Sequence, residues 1–228
     1  MSVQASFAQQ MVGDTAFLSQ ARHHALSRYR QAVGEQAHVF NGPEYIQHHK
    51  HFFKGHPFFI TDSLTQGGVY YDGAWHCPLP LLYDVVTDEV ITANQGALQK
   101  LLPEKLKAFR LRGHSFVYLP KDSLAGSSLQ PGIYELLYNH ATKVYARHSK
   151  QAQEFVEKGQ MAGTYEPATK YFILKEGRYH PVNSQGSVLK VFEENKKLLK
   201  KHLNSRNLKF GKQKQEAIVE AAKFYDTQ

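Results

Sequence analysis

An α+β fold is what these 228 residues predict, and three observations carry that prediction. Short runs rich in Val, Ile, Tyr and Trp follow one another from Gly67 to Ala93 with turn residues between them, the pattern of consecutive antiparallel strands. One stretch near the N-terminus and two at the C-terminus instead repeat apolar residues every three or four positions, the period of a helix. The expected architecture is an antiparallel β-meander over residues 57–182 that can curl into an open half-barrel. An N-terminal helix within residues 11–34 and two C-terminal helices within residues 187–226 pack on it.

The central stretch sets the register. Asp72-Gly73 separates Val69-Tyr70-Tyr71 from Ala74-Trp75-His76, and Asp-Gly supplies the positive φ angles of a tight two-residue hairpin turn. Thr87-Asp88 repeats the device more weakly. Beyond it, Leu81, Tyr83 and Val85 face one side of their strand and Leu82, Asp84 and Val86 the other, because strand side chains alternate.

Residues 1–10 are polar, and Ser6-Phe7-Ala8 before Gln9 has the form of the small-residue end of an export signal without its apolar part; an ordinary polar N-terminus reads equally well from these residues. From 11 to 228 the chain is expected to form one domain. Leu18, Ala21, Ala25, Leu26, Tyr29 and Val33 lie on one helical face, ended by Gly34. The segment that follows, FNGPEYIQHHKHFFKGHPFF, carries two X-Pro steps and reads as loop and edge strand. Residues 96–107 read as a connector interrupted by Pro103. Strands are expected at 108–119 around a Gly113-His114 turn, at 133–138 and 142–148 around Asn139-His140, and at 171–174 and 178–182 around Glu176-Gly177. Residues 151–168 are polar and glycine-containing, which reads as a mobile excursion or a weak helix. The closing helices begin near Ser187, with Val188, Leu189, Phe192, Leu199 and Leu203 on one face, and resume through Ala217, Ile218, Ala221, Ala222 and Tyr225.

Composition excludes several classes of function. No apolar run approaches the roughly 20 residues of a membrane-spanning helix. Cys77 is the only cysteine, so neither an intramolecular disulfide nor a cysteine-based zinc cluster can form, and a hidden structural role is expected for it. No phosphate-binding loop, dinucleotide fingerprint, His-Glu-x-x-His helix or EF-hand loop occurs, and no motif calls for a cofactor. Gly113-His114-Ser115-Phe116-Val117 lacks the second glycine of a nucleophile elbow. Asp62, Asp72, Asp84, Asp88 and Glu89 read as turn and edge acids rather than as a catalytic pair.

Two groups of residues remain as candidate sites. His48, His49, His51 and His56 crowd one loop and could chelate a transition metal if a carboxylate such as Glu44 closed the set, although solvated loop histidines explain them as well. The net charge of +8 is uneven, with 17 of the 28 Lys/Arg but only 9 of the 20 Asp/Glu in residues 139–228. Lys196, Lys197, Lys200, Lys201, Arg206, Lys209, Lys212 and Lys214 could form one patch for anionic lipid or acidic glycan, against the plainer reading of a solvated helix face.

The segments NGPEY (41–45), GHPFF (55–59), VYYDG (69–73), PLLYDVVTDEVI (80–91), YFILKEGRYHPV (171–182), SVLKV (187–191) and AIVEAAKFYD (217–226) together resemble a family of uncharacterised secreted Bacteroidota proteins. The resemblance covers nearly the whole chain but not the histidines at 48–51. It implies export to the periplasm or cell envelope, favours a trimmed export signal at residues 1–10, and transfers no catalytic residue. An exported protein is not expected to meet nucleic acid. The function expected first is a non-enzymatic binding or carrier protein for a hydrophobic or anionic ligand, by analogy with curved sheets lidded by helices. The alternatives are a hydrolase acting on envelope glycan or lipid, and a basic module adhering to an anionic surface.

Overall fold

The computed structural model describes residues 38–47, 50–124, 126–127 and 129–228, with isolated positions 17, 18, 20, 21, 24 and 28. The expected N-terminal helix and residues 1–10 therefore lie largely or wholly outside the described residues. The chain divides into two compact units, Met1–Asn41 and Gly42–Gln228. Of the first, a 3-10 turn at His38–Phe40 is described. The second holds all the strands and helices that follow.

Its strands are β1 (Phe53–Lys54), β2 (Thr65–Tyr71), β3 (Ala74–Asp84), β4 (Glu89–Asn94), β5 (Ala97–Lys100), β6 (Leu106–Leu111), β7 (His114–Leu119), β8 (Gly132–Asn139), β9 (Lys143–Glu157), β10 (Gln160–Lys175) and β11 (Arg178–Val182). Three helices close the chain: α1 (Gln185–Val191), α2 (Lys196–Ser205) and α3 (Lys214–Asp226). All eleven strands join one sheet in the order β1-β10-β9-β8-β7-β6-β2-β3-β4-β5, with β11 also on β10. The fold is α+β, and the sheet is open and mixed rather than a closed barrel, because β1 pairs with β10 in parallel.

The sheet departs from a simple meander at β2. This strand pairs antiparallel with β3 on one side and with β6 on the other, so β3, β4 and β5 form an outlying limb before the chain returns. That limb folds back over the sheet. Phe59 N–H donates to Tyr83 O at 2.8 Å, Val85 N–H to Pro57 O at 3.1 Å, and Lys150 N–H of β9 to Val85 O at 3.2 Å. The Lys150 ammonium donates to His56 O at 2.8 Å and Phe58 O at 2.7 Å, which ties the strap 56–59 to β9. Burial lowers the pKa of this lysine, with the Asp84 charge acting the other way.

Five hairpins turn on the same dipeptide geometry, a residue at φ near 50° followed by glycine at φ between 74° and 85°: Asp72-Gly73, Gln95-Gly96, Arg112-Gly113, Lys158-Gly159 and Glu176-Gly177. This is the turn whose twist matches paired antiparallel strands. The expected hairpin at Asp72-Gly73 and that at Glu176-Gly177 are found. The turn placed at Gly113-His114 lies one residue earlier, so His114 begins a strand.

Several expectations are corrected. Residues 97–100 are a strand and not connector, because β4 supplies a partner edge for them. Residues 151–168 are neither mobile excursion nor helix but the outer half of the β9–β10 hairpin, paired continuously from Gln160↔Glu157 to Leu174↔Lys143. Residues 151–157 are exposed at every position, so the alternation that betrays a half-buried strand is missing there. The expected alternation at 81–86 is also hidden, since Leu81, Leu82, Tyr83, Asp84 and Val85 are all buried. Tyr45, Phe58 and Ile91 pack around Leu82 on the second face of this limb. The C-terminal region holds three α-helices instead of two. A 3-10 turn at Glu193–Asn195 breaks the first expected helix, and α1 starts at the Ser184 cap, whose side chain accepts from Ser187 N–H.

The helices bury their apolar faces on β9–β11. Val188, Leu189, Phe192, Leu199, Leu203, Ile218, Ala221 and Ala222 pack with Val144, Ile173 and Val182. Lys175 fastens the joint, its ammonium 2.9 Å from Glu194 Oε2 and 4.6 Å over the Tyr225 ring.

Candidate functional site

Pairing register explains the main polar cluster of the sheet interior. Glu135 on β8 sits opposite Phe116 of β7 and Ala146 of β9. Residues two positions along each neighbour share its face, which places His114 and His148 on either side of the carboxylate. His114 Nδ1 lies 2.6 Å from Glu135 Oε1, and His148 Nε2 lies 2.6 Å from Oε2. Thr169 Oγ1 is 3.3 Å from His148 Nδ1. The carboxylate is buried, and burial alone would raise its pKa, but the hydrogen bonds from His148 and His114 outweigh burial and hold it below the ordinary glutamate value.

Phe59 of the strap covers the cluster. Its ring centroid lies 5.0 Å from that of His114, 4.9 Å from His148 and 5.1 Å from Phe116. Tyr83, Phe109 and Phe116 continue the aromatic packing, with Phe109 and Phe116 stacked at 4.6 Å. The covered face of the sheet is thus filled by the protein's own rings. His114 keeps about a third of its side chain exposed, so the cluster meets solvent there.

Sequence reasoning missed this cluster. His114 stood as a turn residue, and no local spacing links positions 114, 135 and 148. Only the register of three strands brings them together. The acids that were singled out prove structural where they are buried. Asp84 accepts from Tyr45 Oη at 2.7 Å and from the backbone of Val86 and Thr87. Asp88 accepts from Tyr83 Oη at 2.7 Å, Ile133 N–H at 3.2 Å and Arg147 Nη2 at 3.3 Å, binding the β3–β4 turn to β8 and β9.

Of the histidines proposed as metal ligands, His48 and His49 lie outside the described residues. His51 stands edge-on to Phe52, and His56 stacks on Phe58. Among the described residues no group of three or more His, Cys, Asp or Glu could hold a metal ion.

The eight basic candidates divide between α2 and the segment that leads into α3. Lys196, Lys197, Lys200 and Lys201 are exposed on α2, away from buried Leu199 and Leu203. Arg206, Lys209 and Lys212 are exposed beyond it, and Arg206 lies 3.5 Å from Glu220. Lys214 is half-buried and contributes elsewhere. It lines a groove of about 310 Å³ with Thr169, Lys170, Tyr171, Phe172, Pro181, Val182 and Asn183, where β10 and β11 meet the start of α3. The groove runs along the β10–β11 edge and is lined from both faces, with Thr169, Tyr171 and Val182 on the face that meets α3 and Lys170, Phe172 and Pro181 on the other.

Cys77 corrects a further expectation, for it is exposed. It lies on β3, two residues from Trp75. Among the described residues no helix is long and apolar enough to cross a membrane. No protein-family model, no curated protein and no solved structure matches this chain.

Proposed function

We propose that this is an exported envelope protein that binds an anionic amphiphile without transforming it, and that the β10–β11 groove is the binding site. The observation that carries the reading is the groove along the β10–β11 edge, where Tyr171 and Val182 adjoin Lys214 on one side and Phe172 and Pro181 adjoin Lys170 on the other. An acyl chain gains by leaving water against these apolar side chains, and its carboxylate or phosphate gains by reaching the lysines. The aromatic filling of the covered face leaves the half-barrel interior to the protein's own core, which favours this edge groove as the ligand site. Export rests on the likeness of the quoted segments to secreted Bacteroidota proteins.

A fluorescent long-chain fatty acid titrated into the protein tests the reading. Saturable binding is expected, weakened about tenfold or more in a Lys170→Glu, Lys214→Glu double variant, the scale of one lost charge-assisted contact. An alcohol of the same chain length should bind the parent and the variant alike. Absence of saturable binding by the parent protein removes the proposal.

A second reading, hydrolysis of envelope glycan or lipid, is favoured by the Glu135–His114 contact. A carboxylate that holds an imidazole through Nδ1 leaves Nε2 for proton transfer. This reading requires esterase or glycosidase turnover that His114→Asn abolishes while the fold survives.

A further inference from the structure

The outward face of β6, β2 and β3 carries a second site of different chemistry. Gly68 pairs with Arg110 across β2 and β6, and Tyr70 with Trp75 across β2 and β3. Gln66, Gly68, Trp75, Cys77 and Arg110 therefore share one face, opposite to that of Phe109. Together with Arg112 of the following turn and the backbone of Gly67 and Gly113 they line a shallow cleft of about 390 Å³. Close packing requires glycine at position 68, since a Cβ there would stand 2.9 Å from Cys77 Cβ and 3.9 Å from the Trp75 ring. The Arg110 guanidinium lies 5.1 Å over the Trp75 ring, and Tyr70 meets that ring edge-on at 5.7 Å. Among the described residues no carboxylate lines the cleft.

We propose that this cleft binds an acidic glycan, a saccharide chain bearing carboxylate or sulfate groups. A guanidinium laid on an indole has its plane fixed while its N–H edges stay available, the arrangement that suits bidentate capture of an oxyanion. Arg112, one residue beyond the end of β6, supplies a second cation to the lining, so the cleft matches charges spaced along a chain better than a single ion. Half-buried Trp75 adds apolar surface to the lining, and Gln66 with the glycine backbone offers hydrogen bonds to sugar hydroxyls. A single aromatic platform is too little for the successive base stacking on which single-stranded nucleic acids rely. The site is separate from the β10–β11 groove, and its ligand does not depend on what that groove holds.

Trp75 is the only tryptophan of the chain, so its fluorescence reports on this cleft alone. The full chain is titrated with oligogalacturonate, which carries carboxylates, with low-mass dextran sulfate, with neutral maltohexaose and with oligothymidylate. Saturable change with one or both acidic saccharides, and little with the neutral one, is the expected result; which of the two acts identifies the anionic group. Calorimetry on Arg110→Ala and Arg112→Ala should show at least tenfold weaker binding, with Arg110→Lys intermediate because it keeps the charge and loses the planar fork. A Lys197→Glu, Lys201→Glu variant should bind as the parent does. The proposal is overturned if neither acidic saccharide binds, if oligothymidylate binds as tightly, or if the lysine variant loses as much affinity as the arginine variants. Unfolding curves check that each variant retains its fold.

Discussion

Glu135 is a buried carboxylate whose two oxygens each meet an imidazole at 2.6 Å, and its chemistry can be tested without knowing any ligand. Glu135→Gln keeps the shape but removes the charge, and an amide can accept through only one of its two terminal atoms. A loss of about 2 kcal/mol in urea unfolding at pH 7 is expected, the scale of a charge-assisted hydrogen bond. The folded pKa of Glu135 lies below the ordinary value of 4.5, so its contribution is complete above that value and disappears as pH falls through the depressed one. The parent should therefore lose more stability than Glu135→Gln between pH 5 and pH 3. Parallel pH profiles for the two proteins would refute this role. The same scale shows what single residues revealed in the sequence. The turn character of Asp72 was readable locally, whereas Glu135 drew no notice because its partners stand 13 and 21 residues away on other strands.

Elements were legible wherever one face is covered and the other bare. The apolar stripe of α3 announced itself through its period because its buried Ala217, Ile218, Ala221 and Ala222 alternate with exposed or half-buried neighbours. Leu81–Asp84 was read as strand although both faces are buried, because β-rich residues and turns bound it, whereas 151–157, exposed throughout, offered no period and the reading failed there. Turns were read at Asp72-Gly73 and Glu176-Gly177, one residue late at Arg112-Gly113, and not at Gln95-Gly96 or Lys158-Gly159. Only Asp72 among the five hairpin turns has a side chain favoured at positive φ, while Gln95, Arg112, Lys158 and Glu176 occupy the same conformation. Long side chains there cost about 1 kcal/mol relative to Asn or Gly. Glu176→Asn should accordingly raise stability by about 0.5 to 1 kcal/mol. The substitution also removes a carboxylate 3.8 Å from Lys175 Nζ, an exposed contact expected to be worth little. A lower denaturation midpoint in Glu176→Asn would show that this contact outweighs turn geometry.

At the scale of the whole molecule, charge and topology make separate claims. The exposed lysines of α2 suit attachment to an anionic surface, so binding to phosphatidylglycerol vesicles should fall with added salt and weaken in Lys197→Glu, Lys201→Glu; vesicle sedimentation that is absent or insensitive to salt in the parent would end that idea. The sheet's topology was the least legible level. Nothing near residues 65–71 or 106–111 signals that β6 returns to β2 after three intervening strands, since that choice is made by the whole sheet. The strap bonded to Lys150 has a kinetic consequence. Its contacts join residues 92 and 94 positions apart, and they can form only once the outlying limb and the β9–β10 hairpin are both in place. Contacts that close so late are absent from the rate-limiting barrier crossing in folding and present in every molecule that must unfold. In stopped-flow measurements Lys150→Met should leave the refolding limb unchanged and speed unfolding about tenfold to thirtyfold, the effect of losing about 1.5 to 2 kcal/mol of native-state bonding. A comparable slowing of refolding would place the strap among the first contacts made. The ammonium of Lys150 would then govern how long the protein lasts once folded, and have little to do with how quickly it gets there.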